Sequence, residues 1–206
     1  MTAPGYWQQA TRELSERDSV IRRIAGKSLG LTLRSRGDAF STLARSIVGQ
    51  QISVKAAASV WQKFAAAVPA IRPEVIHAHD SEALRACGLS RSKVLYLQDL
   101  ARHFIEGRLE VGRWKRMSDD ELIAELTQVR GIGRWTAEMF LIFYMTRPDV
   151  LPVDDIGLQR AMSLHYNRGR PLTKLKMNSI AKRWLPWRSV ATWYMWRSLD
   201  PVPVEY

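Results

Sequence analysis

The chain is poor in the residues that usually build a redox or metal centre. A single cysteine, Cys87, stands in 206 residues. It cannot close an internal disulfide, and one thiolate cannot hold an iron–sulfur cluster or a structural zinc. Cys87 reads as a small buried thiol, with a cysteine nucleophile as the alternative. The four histidines, His77, His79, His103 and His165, include no HExxH pair. His77 and His79 are too close in sequence to be one-turn partners on a helix, and read as surface residues. The longest uninterrupted apolar run, Met139 to Met145, is far short of a membrane span. The N-terminus has no apolar signal core. These absences exclude a disulfide scaffold, a thiolate metal site and a helical membrane anchor. They point to a reducing, cytoplasmic setting, at the nucleoid if the source is bacterial.

Strand patterns are almost absent, and there is no internal repeat or low-complexity linker. What remains is helical periodicity. Phe40, Leu43, Ala44, Ile47 and Val48 form one apolar stripe. Val54, Ala57, Ala58, Trp61, Phe64 and Ala65 form a second, with Ser53 as its N-cap. Val94, Leu97, Ala101, Phe104 and Ile105 form a third, capped by Ser90 or Ser92. Ser118 and Glu121 make a capping box that opens a helix to about Val129. A further helix from about Arg134 to Met145 is apolar nearly all round and should be buried. Thr173 caps a helix ending near Trp184, and Pro186 fits the first position of the last helix. The expectation is an all-α chain of about ten short helices.

Charge is the second positive signal. Lys and Arg number 31 against 20 Asp and Glu, a formal net charge of +11. Such a balance favours a polyanionic partner, or is that of a merely soluble basic protein. The cations are spread along the chain, which argues for a folded basic surface rather than a basic tail.

Three local patterns carry chemistry. Val129-Arg130-Gly131-Ile132-Gly133 lies between two helices. Two glycines two apart allow a tight reversal and a close approach of backbone to a ligand. The helix that follows aims its first N–H groups outward, a phosphate site that reads no base sequence. An ordinary helix hairpin with a glycine C-cap is the other reading. Second, Asp154 and Asp155 precede an apolar helix from Ile156 to Leu164. They read as cap and first-turn residues, at the positive end of a helix dipole. A carboxylate there also suits a cationic transition state. Third, there are eight tryptophans, four of them between Trp184 and Trp196. Most belong to a core, while a few, with Trp135 beside the glycine turn, would line a pocket for a planar base.

With these residues in place, a family resemblance is visible. Residues Val129 to Ala137, followed about twenty residues later by Val153-Asp154-Asp155, resemble the helix-hairpin-helix plus Gly/Pro-Asp signature of base-excision glycosylases. Ile47 to Ser53, and Trp184-Leu185-Pro186-Trp187-Arg188-Ser189, resemble segments of the 3-methyladenine DNA glycosylase II branch. The match covers roughly Phe40 to Trp196, with four motifs in the right order. It implies two helical lobes with a DNA-binding cleft and the hairpin at that cleft. One lobe would be about 37–147 and the other about 1–36 plus 148–206. The chain is too short for the N-terminal β lobe of the bacterial relative.

The resemblance also assigns roles. Asp155 is the catalytic aspartate, because Arg160 five residues on matches the usual spacing, and Asp154 becomes a capping or supporting residue. Trp135 and Trp196 match aromatic positions of the base pocket. Gly131, Ile132, Gly133, Arg134 and Thr136 would grip the DNA backbone. Gln51 aligns with the residue that fills the gap left by a flipped nucleotide, with Gln50 beside it; alternatively, Gln50 and Gln51 satisfy loop backbone groups. Carbonyls of Thr127, Val129 and Ile132 would hold a sodium or potassium ion, and no other cofactor is required. Trp135 stands where bifunctional relatives carry a Schiff-base lysine, so no covalent imine would form. The expected reaction is hydrolysis of the N-glycosidic bond of alkylated purines such as 3-methyladenine and 7-methylguanine. The expected partner is double-stranded DNA bearing a damaged base, met by a monomer. Hypoxanthine, uracil or oxidised bases, a non-catalytic DNA-binding module, and binding to another acidic partner stand as alternatives.

Overall fold

The computed structural model describes residues 3–28, 30–35 and 37–199. Of the lobe expected from about 1–36 plus 148–206, residues 1, 2, 29, 36 and 200–206 lie outside the described residues. No strand occurs among the described residues. In chain order the helices are α1 (Trp7–Arg17), α2 (Ser19–Lys27), α3 (Ala39–Gly49), α4 (Val54–Ala67), α5 (Pro73–Ala78), α6 (Ser81–Ala86) and α7 (Arg91–Ile105). They continue as α8 (Val111–Trp114), α9 (Asp119–Leu126), α10 (Arg134–Phe143), α11 (Ile156–Tyr166), α12 (Lys174–Ala181), a 3-10 turn (Lys182–Trp184) and α13 (Arg188–Leu199). The count exceeds the expected ten because α5, α6 and α8 have only 6, 6 and 4 residues. Elements that short do not complete a readable apolar stripe.

Local chemistry accounts for most helix starts. Ser53, Ser90 and Thr173 each accept a backbone N–H from the first turn of α4, α7 and α12. Ser118 and Glu121 complete the reciprocal capping box of α9. The Asp18 and Asp38 carboxylates accept first-turn N–H groups of α2 and α3. The last helix departs from expectation. It begins at Arg188, two residues after Pro186, and its first N–H is received by Asp149 Oδ1 at 3.2 Å, from 39 residues away. The Leu185–Pro186 peptide bond is cis.

The described residues divide into two compact units, one made of those within 3–35 and 141–199, the other of those within 37–140. In the first, α1, α2, α11 and α13 pack on one another around Leu14, Ile21, Leu158, Met162, Trp184 and Met195, all essentially inaccessible. Trp7 is 4% exposed and meets Trp193 edge to face. Tyr6 stacks on Trp187 and donates its hydroxyl to the Thr146 carbonyl at 2.6 Å. Asp18 lies under α2, accepting from the Tyr166 hydroxyl at 2.8 Å and the Trp184 indole at 3.1 Å.

In the second unit, α3, α5 and α7 carry the core. Every residue of the α3 stripe is buried. Trp114 packs edge to face against Phe140 and gives its N–H to Glu125. Two stripes are corrected. On α4, Phe64 is buried and Ala57 and Trp61 are half-buried, but Ala58 and Ala65 face solvent. That helix packs mainly on α3 and α6 and keeps much of its surface wet. On α7, Ile105 at the C-terminal end is 47% exposed. Cys87 is buried, and His77 is exposed. No helix among the described residues is long and apolar enough to cross a membrane.

Candidate active site and hairpin

The hairpin belongs to the second unit. α9 ends at Leu126 rather than Val129, because Thr127 already closes it as C-cap. Val129 and Ile132, 1% and 4% exposed, pin the turn to the core. Between them Gly131 adopts φ +83°, a left-handed conformation that favours glycine. A Cβ there would fall inside the ring of Tyr96. Tyr96 lies on α7, three residues before Asp99, so both project from one face. Asp99 Oδ2 accepts the Arg130 N–H at 2.9 Å, and Gln50 Nε2 donates to the Gly131 carbonyl at 2.8 Å. Lys93, also on α7, donates to the Val48 carbonyl at 2.8 Å and so braces the end of α3. α7 is thus the shelf on which the hairpin rests. The apolar stripe of α7 identifies its buried face but carries no sign of these polar bonds.

Asp99 is 7% exposed and also meets Arg102 and His103. Burial works to raise its carboxyl; the Arg130 N–H, Arg102 and His103 outweigh it, so the group lies below its ordinary value of 3.8. The folded pKa is depressed. Its stabilisation is therefore present above 3.8 and lost as pH falls through the lower folded value. Asp99→Asn is expected to cost about 1–2 kcal/mol at neutral pH. The difference from wild type should begin to shrink as pH falls below 3.8 and vanish once pH is below the lowered folded value, measured by denaturant titration at several pH values. A difference that persists unchanged in acid would refute this role of the carboxylate charge.

The residues expected to touch DNA divide into three groups. Gly133 is open on its Cα, and Gln51 is exposed in a left-handed turn at φ +59°. The N–H groups of Gly133 and Arg134, at the start of α10, lack an acceptor within that helix by its geometry. Arg134 is exposed and its guanidinium reaches Glu138 at 3.0 Å and Asp120 at 3.4 Å. For three residues the structure shows where polar atoms are engaged or covered. The Gln50 amide donates one hydrogen bond to the hairpin itself. The Ile132 N–H is given to the Val129 carbonyl at 3.1 Å. The Thr136 side chain is 5% exposed, leaving only its backbone N–H. A buried apolar turn needs its polar atoms satisfied internally, which pattern reading does not reveal. Trp135 is half-buried in the first turn of α10.

The candidate catalytic residue belongs to the first unit. Arg188 grips Asp149 through Nε to Oδ1 at 2.7 Å and Nη2 to Oδ2 at 2.9 Å, a fork on a carboxylate. Ser189 Oγ accepts the Val150 N–H at 2.9 Å. These bonds fix the loop that leads into α11. Asp155 is the N-cap of α11 and is 7% exposed. Its Oδ1 accepts the Leu158 N–H at 2.6 Å and the Trp196 indole N–H at 2.7 Å. Trp196 itself stacks on Phe143, with ring centres 5.6 Å apart and planes 13° apart. Gly157 makes this packing feasible. A Cβ on it would sit 3.1 Å from both Asp155 Oδ1 and Trp196 Cδ1.

Asp154 is different: its side chain is half exposed and pairs with Lys174 on α12. The two adjacent carboxylates are thus separated by environment, one buried and hydrogen-bonded at the helix start, the other at the surface. Phe143, Gly157 and the Arg188–Asp149 clamp escape sequence reading. Only the glycine two residues after Asp155 offers a trace, since glycine inside a helix costs stability and asks for a reason. No group of three or more His, Cys, Asp or Glu residues that would hold a metal occurs among the described residues.

A family profile described as HhH-GPD superfamily base excision DNA repair protein matches residues 44–186. The chain belongs to this family. Both the hairpin and Asp155 lie inside the matched span. This HhH-GPD chain is 34% identical over 165 residues to DNA-3-methyladenine glycosylase 1 of Schizosaccharomyces pombe, covering 77% of this chain and 72% of that protein. A solved structure of the S. pombe 3-methyladenine DNA glycosylase in complex with abasic DNA superposes with a TM-score of 0.80 at 31% identity, covering 96% of this chain and 98% of that one. DNA-3-methyladenine glycosidase from Bacillus halodurans superposes with a TM-score of 0.86 at 32% identity, covering 97% and 93%.

Proposed function

We propose that this chain is a monofunctional DNA glycosylase that removes alkylated purines, 3-methyladenine foremost, in base excision repair. The observation that carries this reading is the buried carboxylate of Asp155, oriented at a helix start by the Leu158 N–H and the Trp196 indole. The names of the S. pombe and B. halodurans relatives support the substrate class.

The chemistry follows from the site. A glycosylase must reach C1′, so the damaged nucleotide leaves the stack. Purines methylated at N3 or N7 carry positive charge and depart readily, so little acid assistance is needed. Positive charge then develops on the sugar. The fixed carboxylate of Asp155 stabilises that charge without reorganising, and orients the attacking water. Both bonds from Leu158 and Trp196 fall on Oδ1, which sets the plane of the carboxylate. Trp196, half-buried and stacked on Phe143, offers an electron-rich ring to a cationic base, an attraction worth about 0.5–2 kcal/mol. The products are a free base and an abasic site in an intact strand.

The hairpin supplies grip. Backbone N–H groups at the start of α10 bind phosphate without reading sequence. Gln51, projecting from its turn, fills the gap left by the flipped nucleotide. The carbonyls of Thr127, Val129 and Ile132 are uncharged hard oxygens, a donor set that suits sodium or potassium rather than a transition metal. A bound monovalent ion would add positive charge to the hairpin. The chain works as a monomer, in the compartment that holds the DNA.

Base release from methylated duplex DNA, with 3-methyladenine and 7-methylguanine resolved by chromatography, tests the reaction. Wild type should free 3-methyladenine and give no adduct with DNA under borohydride. DNA binding with no base released would leave only a binding module. Trp196→Phe keeps the stack on Phe143 but removes the indole donor. It should lower the single-turnover rate about tenfold, the scale of one hydrogen bond to a charged group, with little change in thermal stability. An unchanged rate would remove the indole from the catalytic arrangement.

A further inference from the structure

Beyond the excision site, the first unit contains a cavity of about 360 Å³ between α2, the C-terminal end of α11 and the end of α13. Helix geometry puts His165, on its wall, about 15 Å along α11 from the Asp155 cap. Three cations line it: Arg23 and Lys27 from α2, and Arg197 from α13. Among the described residues that line it, none is a carboxylate. Arg197 is 9% exposed and lies over the ring of Trp193, so its charge acts in a poorly solvated place. Ser28 and Ser198 add hydroxyls, and Ile24 and Leu31 an apolar wall.

A hydrogen-bond chain orders this cluster. The Ser198 hydroxyl donates to the Met195 carbonyl at 2.6 Å, so its oxygen is left to accept from His165 Nε2–H at 2.8 Å. The proton is then on Nε2, and Nδ1 accepts from the Arg23 guanidinium at 3.4 Å. Burial and the neighbouring Arg23 both push His165 below its ordinary value, in keeping with a neutral ring. The imidazole therefore adds no charge; it steadies Arg23 at the rim.

We propose that this cavity is a second binding site, for a phosphate group carried on a nucleotide-sized body. Convergent cations and the Ser28 hydroxyl recognise the phosphate oxygens, while the Ser198 hydroxyl stays with Met195 and His165. The volume is within the range of small-ligand pockets and far exceeds what a bare phosphate fills, and the Ile24 and Leu31 wall suits the organic part. The phosphate comes either from a free nucleotide or from a DNA strand.

Calorimetric titration of the full chain with deoxyadenosine monophosphate tests this, with inorganic phosphate as competitor and deoxyadenosine as control. The nucleotide should bind saturably, phosphate should compete, and the nucleoside should not bind. Lys27→Ala and Arg23→Ala, both at exposed positions, should each weaken the nucleotide about tenfold, as expected for one charge-assisted bond. Asp155→Asn should leave the affinity unchanged. Displacement by duplex DNA assigns the source. Displacement only by a 5′-phosphorylated duplex identifies a strand end, and equal displacement by a 5′-hydroxyl duplex identifies a backbone phosphate. Resistance to both identifies a free nucleotide. Absence of saturable binding at millimolar nucleotide, indifference to both α2 variants, or loss of binding in Asp155→Asn would overturn the proposal. None of these results bears on base release, which is measured separately.

Discussion

Asp155→Asn should lower the single-turnover rate of 3-methyladenine release by roughly two to three orders of magnitude, the scale seen when one preorganised charge-stabilising group is removed. DNA binding should remain or tighten. The asparagine oxygen still accepts from the Leu158 N–H and the Trp196 indole, so the cap of α11 and the packing of Trp196 survive. What disappears is the negative charge beside the sugar. Asp155→Ala also loses the cap, at about 1 kcal/mol, so it should be both inactive and less stable. The pair of variants separates chemistry from architecture. If Asp155→Asn releases base within a few-fold of wild type, the carboxylate is not the catalytic group. Asp154→Asn supplies the contrast. Its partner Lys174 is at the surface, where an ion pair contributes little, and its rate should stay close to wild type.

Gly131→Ala should have the largest effect on stability, a loss of about 3 kcal/mol. Two costs combine. A residue with a Cβ pays about 1–2 kcal/mol in a left-handed conformation. The added methyl also overlaps the Tyr96 ring, an overpacking penalty of about 1–3 kcal/mol. For a chain of this length the melting temperature should fall by about 6–12 °C. Gly133→Ala meets open space and should be nearly silent in the same melt. The double variant Gly131→Ala with Tyr96→Ala isolates the clash. Relative to the sum of the single changes, it should recover the overpacking part and leave the backbone part. Equal melting temperatures for the Gly131 and Gly133 variants would contradict the close fit between hairpin and α7.

The sites of these two expectations were legible in the sequence to different degrees. The glycines of the hairpin stand out because a left-handed turn favours one residue type. The adjacent carboxylates stand out because helix starts select them. The same local logic located the caps at Ser53, Ser118 and Thr173 and the buried stripe of α3. It weakened wherever burial depended on distant partners. The α4 stripe is apolar, yet part of it faces water, because its main packing, on α3 and α6, covers only one side of the helix. The start of α13 is set by Asp149, not by the nearby Pro186.

The sequence by itself determined the helical class, the hairpin turn and the pair of candidate aspartates, because each rests on interactions within one or two turns of chain. Only the tertiary structure decided how the pair differ, with Asp155 buried and bonded by Trp196 from 41 residues away and Asp154 paired at the surface. It also decided that Gln50, Tyr96 and Asp99 brace the hairpin. Those contacts join residues far apart in sequence. Their directions depend on the angles at which helices pack, and hydrophobic periodicity records which face is buried but not what polar group it meets there.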